Sequence, residues 1–382
     1  MTVVLGLPIR AACRALAAGL FAACIATAAD AQELKAVAVV RGLMHPWSMA
    51  FLPDFERDGR MIVTEKSGRL RLVNTSGRIG PPITGVPAVD ARGQGGLLDV
   101  ALDPRFAENR WIYWSYAEPG AGVNSTAVAR AKLETDGLQG RISDVQVIFR
   151  QIPKVASSHH FGSRLVFARD GRLFVTLGDR FARRDDAQSL DTHHGKIVRI
   201  ESDGRVPADN PFANRGGARP ETWSIGHRNV QGAALHPQTG ELWAHEHGPQ
   251  GGDEVNVVEA GRNYGWPVIT YGAEYGSGAR IGEGTARSGL EQPIVRWVPS
   301  IAPSGMAFVT SDRYPGWQGN LFVGALRGQL LVRLQLDGRK VVREERLLQD
   351  LHERVRDVRQ GPDGWLYLLT DSDDGKVIRL ER

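Results

Sequence analysis

From Trp47 onward the chain repeats one pattern: a turn closing on glycine or asparagine, one residue, then a strand of alternating apolar and polar positions. It occurs as Asp58-Gly59-Arg60-Met61-Ile62-Val63, Asn109-Arg110-Trp111-Ile112, Asp170-Gly171-Arg172-Leu173-Phe174, Thr239-Gly240-Glu241-Leu242-Trp243, Gln318-Gly319-Asn320-Leu321-Phe322 and Asp363-Gly364-Trp365-Leu366-Tyr367, six copies in all. Several copies are followed by a second glycine turn and strand, as in Ser67-Gly68-Arg69-Leu70 and Asp374-Gly375-Lys376-Val377. Others are preceded by an apolar strand, as in Trp47 to Leu52, Ser163 to Phe167 and Gly305 to Val309. Three or four short antiparallel strands per unit, repeated, predict an all-β, six-bladed β-propeller of four-stranded antiparallel blades. A β-sandwich is the competing arrangement. Leu34 to Arg41 reads as a strand that joins the last blade and closes the ring, removing exposed sheet edges.

The copies are irregularly spaced, so the surplus residues lie in loops between strands. Loops that long in a compact fold are usually functional or disordered. The longest bracket the segment from Gly226 to Pro267, where Gly226-His227-Arg228-Asn229, His245-Glu246-His247-Gly248-Pro249, Asp253-Glu254 and Asn263-Tyr264-Gly265-Trp266-Pro267 sit among residues that shape backbone rather than fill a core.

The 382 residues are enough for one large domain, expected over residues 32–382. Residues 1–31 read as a secretory signal: Arg10 and Arg14 precede an apolar run from Ala15 to Ala29, and Ala29-Asp30-Ala31 offers a cleavage site. The run is shorter than the ~20 residues needed to cross a bilayer, which argues against a membrane span. The chain is therefore expected to be periplasmic or secreted, with a lipid anchor on Cys24 as the competing reading. Both cysteines, Cys13 and Cys24, fall in this leader, so the mature chain would carry no thiol chemistry. It would also carry 45 basic and 42 acidic side chains, well mixed, which gives no basic face for nucleic acid.

Signatures for serine hydrolases, P-loop and Rossmann nucleotide binding, and H-E-x-x-H zinc sites are missing from the sequence. The candidate chemistry is dispersed over equivalent loops. Gln94, in Gly93-Gln94-Gly95-Gly96, sits where glycines allow close approach of a ligand. His160, in Ser158-His159-His160-Phe161, is a candidate general base. Arg228 offers a permanent fork of donors for a carboxylate or developing alkoxide, and Arg354 and Arg356 lie two residues apart on one strand. Gly248-Pro249 and Asp253-Glu254 present oxygen donors that suit Ca²⁺. Together these describe a site for an acidic, carboxylate-rich ligand beside a base, and spacing alone does not name the ligand.

Ordered motifs from Leu34 to the C-terminus resemble the soluble pyrroloquinoline quinone (PQQ) dependent aldose sugar dehydrogenases, kin of soluble glucose dehydrogenase. They are Gly42-Leu43-Met44-His45-Pro46-Trp47, Gly93 to Leu98, His160 to Leu165, Asp203 to Phe212, Gly226 to Gly232, Glu246 to Asn256, Asn263 to Pro267, Pro303 to Met306 and Arg354 to Val358. The resemblance implies that PQQ lies over the propeller mouth, bound by Gln94, Arg228, Asn229, Thr270, Tyr275, Arg327, Arg354 and Arg356. It implies Ca²⁺ on the Gly248 and Pro249 carbonyls, and a second, structural Ca²⁺ on Glu254 and the Tyr264 carbonyl. His160 would take the anomeric hydroxyl proton while C1 gives a hydride to the quinone, with Arg228 and Ca²⁺ stabilising the oxygen that gains charge. The implied partners are an aldose and an unidentified electron acceptor, with the chain a monomer or homodimer.

Two departures from soluble glucose dehydrogenase stand out. His159 occupies the place of an aspartate, and Arg327 that of a lysine, so sugar preference does not transfer. Asp253 receives no role. The competing functions are a Ca²⁺-dependent propeller lactonase, which predicts channel carboxylates and turnover without PQQ, and a binding module without redox activity.

Overall fold

The computed structural model describes residues 34–382, so the export signal expected over residues 1–31 lies outside the described residues. The alternating segments form six four-stranded antiparallel sheets, met one after another along the chain. Blade 1 comprises β2 (Pro46–Phe51), β3 (Arg60–Glu65), β4 (Arg69–Asn74) and β5 (Ile79–Pro82); blade 2 comprises β6 (Leu97–Leu102), β7 (Trp111–Pro119), β8 (Asn124–Asp136) and β9 (Gln139–Arg150). Blade 3 is β10 (Leu165–Phe167), β11 (Leu173–Thr176), β12 (Lys196–Ile200) and β13 (Thr222–Ile225); blade 4 is β14 (Val230–Leu235), β15 (Leu242–Glu246), β16 (Asp253–Val258) and β17 (Val295–Trp297). Blade 5 is β18 (Pro303–Phe308), β19 (Leu321–Ala325), β20 (Leu330–Asp337) and β21 (Lys340–Leu347). Blade 6 takes β22 (Val355–Gln360), β23 (Leu366–Thr370) and β24 (Gly375–Glu381) from the C-terminus and β1 (Lys35–Leu43) from the other end of the domain. The expected closing strand is thus present, paired antiparallel with β24 from Lys35↔Glu381 to Leu43↔Gly375.

Each blade begins with its innermost strand, and these six strands pack around a central axis. Between blades the apolar faces interlock, as where Ile62 and Leu72 of blade 1 meet Trp114 and Ala129 of blade 2, all fully buried. The axis is closed by charge rather than by apolar packing. Buried Arg164 of blade 3 lies 3.0 Å from both Asp99 of blade 2 and Asp357 of blade 6, and Arg359 binds the same two carboxylates at 2.8 and 3.0 Å. Ser48 of blade 1 donates to Asp99 at 2.5 Å, so four blades share one ionic plug. All six inner strands start at one mouth of this plugged channel. At their other ends, side chains such as Phe51, Leu102, Phe167 and Phe308 line a cavity of about 660 Å³.

Local turn chemistry explains the repeated phrase, with one shift of register. The residue that ends α1 (Phe55–Asp58) is Gly59, at φ 67°, and its N–H returns to the Phe55 carbonyl. In blade 2 the equivalent left-handed position after α2 (Phe106–Asn109) belongs to Arg110, at φ 63°, and not to Asn109. The sequence pattern favours asparagine there because asparagine tolerates this conformation, but the helix-ending hydrogen bond to Phe106 selects the next residue.

Candidate active site

The chemistry gathers at the mouth where the inner strands begin, because the loop entering each blade delivers its side chains there. His160 precedes β10 and is buried, with a left-handed φ of 52°. A non-glycine residue holds that conformation only when its surroundings fix it. Here the Gln94 side-chain carbonyl accepts the His160 backbone N–H at 2.8 Å. The Asn229 carboxamide oxygen accepts the Gly162 N–H at 3.1 Å. Gln94 and Asn229 therefore hold the loop of His160. Gly178 passes so close behind it that a Cβ would stand 2.0 Å from the His160 carbonyl oxygen.

The ring of His160 pairs with a residue that sequence reasoning missed. Its Nδ1 is 2.6 Å from Asp179 Oδ1. A carboxylate only accepts, so Nδ1 carries the proton and Nε2 keeps its lone pair. The other Asp179 oxygen accepts Trp266 Nε1–H at 2.8 Å, and the Phe181 N–H donates to Oδ1 at 2.7 Å. Burial works to raise the Asp179 carboxyl, but the bond from His160 and the Arg228 charge hold it below the usual carboxylate value. Burial lowers the His160 imidazole, with Arg228 adding to the effect and Asp179 opposing it. The ring is consequently neutral, and basic, at pH 7. In the sequence Asp179 reads as an ordinary turn residue after β11; only its place beside two glycine-lined loops marks it out.

Arg228 enters from the loop before β14. Glu246 fixes that loop twice, through the His227 ring (Nδ1 to Oε1, 2.9 Å) and through the Arg228 backbone N–H. The guanidinium donates to the Gly248 carbonyl at 2.7 Å and the His247 carbonyl at 3.1 Å, and reaches Tyr275 Oη at 3.4 Å. His160, Asp179, Arg228, Pro249, Trp266 and Tyr275 line one cleft of about 280 Å³.

A second group of cations stands across the mouth. Buried Arg356 donates to Gln231 Oε1 at 2.9 Å, and its Nε has no partner among the described residues. Arg354 pairs with Asp371 at 3.1 Å, and Lys66, also unforeseen, donates to the Gly93 carbonyl at 2.9 Å. Burial lowers the Lys66 ammonium, and Arg356 and Arg354 lower it further against Asp371. Three cations against one carboxylate, with an unused buried donor, are suited to a polyanion such as the PQQ carboxylates. The strand register shifts between Val355 and Asp357, so Arg356 turns inward while Arg354 stays half-exposed. Arg327 is exposed, in the turn between β19 and β20.

The proposed metal ligands divide between two places. The Gly248 carbonyl already accepts from Arg228, and its second lone pair leaves room for a cation. Glycine is required there, since a Cβ would lie 2.2 Å from the Gly251 carbonyl oxygen. Asp253 builds this turn, accepting from Gly248 N–H at 3.0 Å and from Ile301 and Ala302 N–H at 2.8 and 3.0 Å. Glu254 shares a small space with Glu246, Tyr264 and Thr270. Burial, then the neighbouring Glu246, pushes its carboxyl up to about 8. Both Glu246 oxygens already accept, from the His227 ring and the Arg228 N–H, so Glu254 is the carboxyl of this space that has oxygens to offer a divalent ion. Thr270 lies in this second space, with its Oγ1 accepting the Gly272 N–H at 3.1 Å, rather than in the cleft that His160 lines.

A closed propeller whose mouth joins a buried histidine–aspartate couple to arginines is a scaffold for proton abstraction beside an anionic cofactor or substrate. A family model described as Glucose / Sorbosone dehydrogenase matches residues 43–379, and the chain belongs to that family. It is 46% identical over 341 residues to the aldose sugar dehydrogenase YliI of Escherichia coli (strain K12), covering 88% of this chain and 90% of that protein. The crystal structure of the soluble aldose sugar dehydrogenase from Escherichia coli in its apo form superposes with a TM-score of 0.87 at 44% identity, over 91% of this chain and 99% of that one. The PQQ-bound form of an aldose sugar dehydrogenase from Streptomyces coelicolor matches with a TM-score of 0.74 at 29% identity, covering 91% and 98%. The chain is a sugar-oxidising oxidoreductase.

Proposed function

We propose that this protein is an exported quinoprotein that oxidises aldoses at C1 to the lactone, with PQQ and Ca²⁺ as cofactors and His160 as the base. The observation that carries the reading is the buried His160–Asp179 couple, facing Arg228 in one cleft. His160 Nε2 takes the proton of the anomeric hydroxyl, and Asp179 stabilises the imidazolium that results. Arg228 donates to the oxygen on which charge develops, in a cleft whose burial strengthens the interaction. Lys66, Arg354 and Arg356 would hold the carboxylates of PQQ, with Arg327 at the rim and Tyr275 on the wall of the cleft. Gly248 and Pro249 would offer carbonyls to one Ca²⁺, and Glu254 and Tyr264 would hold the structural one. When bound, PQQ supplies the two-electron acceptor for the C1 hydride and Ca²⁺ supplies Lewis-acid polarisation.

The lactonase alternative calls for channel carboxylates free to bind a metal. Asp99 and Asp357 do line the axis, but Arg164 and Arg359 occupy both. The test is reconstitution of the purified protein with PQQ and Ca²⁺, followed by assay of a panel of aldoses with an artificial electron acceptor. Acceptor reduction is expected that depends on both additions. Turnover of lactones without PQQ, or no aldose oxidation and no absorbance change of added quinone, would overturn the proposal.

A further inference from the structure

Two features of the cleft are not used in the mechanism above. The first is Phe181. Arg180 and Phe181 both stand at left-handed φ, 61° and 65°, and the turn they make leaves the Phe181 ring 51% exposed. The ring meets His160 edge-on at 5.3 Å between centroids. A strained backbone that displays an aromatic ring beside a candidate base does nothing for the core. The apolar C–H face of a pyranose packs on such a ring.

The second is an ion pair between Arg184, in the loop that follows β11, and Glu274, in the loop between β16 and β17. Their side chains are 43% and 37% exposed and line the same cleft as His160. A pair so open to solvent contributes little to folding. Its effect on a ligand is larger: each charge is cancelled by the other, yet both groups keep donors and acceptors free for hydroxyls. A carboxylate sugar would have to displace Glu274 from Arg184, and an amino sugar would have to displace Arg184 from Glu274. Asp185 adds the remaining carboxylate on this wall.

We propose that Phe181 and the Arg184–Glu274 pair form the sugar-facing wall of the cleft and set its preference for uncharged aldoses. The inference rests on the function proposed above and names the groups that hold the sugar. The wall gives the ring plane through Phe181 and reads the far hydroxyls through the ion pair, while His160 meets C1.

The test uses the reconstituted holoprotein with D-glucose, D-glucosamine and D-glucuronate. Phe181→Ala is expected to raise KM about tenfold with kcat little changed, and Phe181→Trp to restore KM. Arg184→Gln leaves Glu274 unpaired and should raise the glucosamine-to-glucose ratio of kcat/KM by about fivefold; Glu274→Gln should raise the glucuronate-to-glucose ratio by a similar factor. PQQ affinity, titrated by fluorescence, should stay constant in all four variants. Saturation-transfer NMR with the same sugars reads binding without turnover. Unchanged ratios in both charge variants, or an unchanged KM in Phe181→Ala, overturn the wall. If the parent protein oxidises no aldose yet binds sugar through Phe181 by NMR, the proposed reaction fails and the wall stands; sugar signals that persist in Phe181→Ala defeat the wall in that case too.

Discussion

Asp179 is the residue on which the catalytic reading turns. It lies 2.6 Å from the ring of His160 and also binds Trp266, so one carboxylate sets the tautomer of that ring and anchors it to the loop of blade 4. Burial lowers the His160 imidazole below its ordinary value of 6.5, and Asp179 opposes that shift. With His160 as the proposed base the neutral ring would be the active form, and the acid limb of kcat/KM should lie below pH 6.5, so that activity persists into mild acid. Asp179→Asn keeps the shape but removes the opposing charge. It should move that limb to still lower pH and reduce kcat about 100-fold, within the range a positioned base contributes. A purely structural Asp179 would instead lower the active fraction and leave the limb in place. No spacing rule pairs residues 160 and 179, which is why the chain alone presents His160 but not its partner.

At the level of elements, the blades are uniform and the loops carry the differences. The segment from Glu259 to Ile294, between β16 and β17, supplies Trp266, Thr270, Glu274 and Tyr275 to two adjoining spaces. Its first residues share a small space with Glu254, whose carboxyl is pushed up to about 8 by burial and by Glu246. A cation on Glu254 and the Tyr264 carbonyl would fasten this loop to blade 4. Ca²⁺ should therefore raise the melting temperature at neutral pH, by several degrees at saturating metal, and chelation should reverse the gain. Glu254→Gln should reduce the increment by the share owed to this site while leaving the calcium-free protein folded, which differential scanning calorimetry can follow. An equal response in the variant would place the structural metal elsewhere. The glycine-turn phrases made the six blades legible because each encodes its own turn, whereas the one-residue shift to Arg110 arises from a helix-ending bond that the phrase does not contain.

For the whole molecule, closure is the property that keeps the site together. β1 completes blade 6, so the two ends of the domain share one sheet and neither edge of β24 is left open. Leu43, fully buried at the end of β1, packs with Met61 and Val63 of blade 1 and Tyr367 of blade 6. Leu43→Ala should cost about 2–5 kcal/mol in chemical denaturation, the range for a buried leucine, with most of the loss expressed as faster unfolding. The charged plug at the axis acts on the same scale. Arg164, Asp99, Asp357 and Arg359 join blades 2, 3 and 6 through four ion pairs, where removal of one member leaves three buried charges that no longer balance.

The sequence by itself determined the architecture: strand period, turn glycines and the closing strand are local properties, and each predicts its own element without reference to the others. It also presented most of the candidate groups, since Gln94, His160, Arg228, Gly248 and Arg356 stand in loops whose composition serves no core. The tertiary structure decided which groups meet and what each is for. Asp179 became the partner of His160, Lys66 joined the arginines, Asp253 became the clamp of the Gly248 turn, and Gln94 and Asn229 took hold of the loop that carries His160. The reason is geometric. A propeller brings the first residues of six separate blades to one mouth, and contacts at separations as different as 5, 19 and 66 positions leave no periodic trace along the chain.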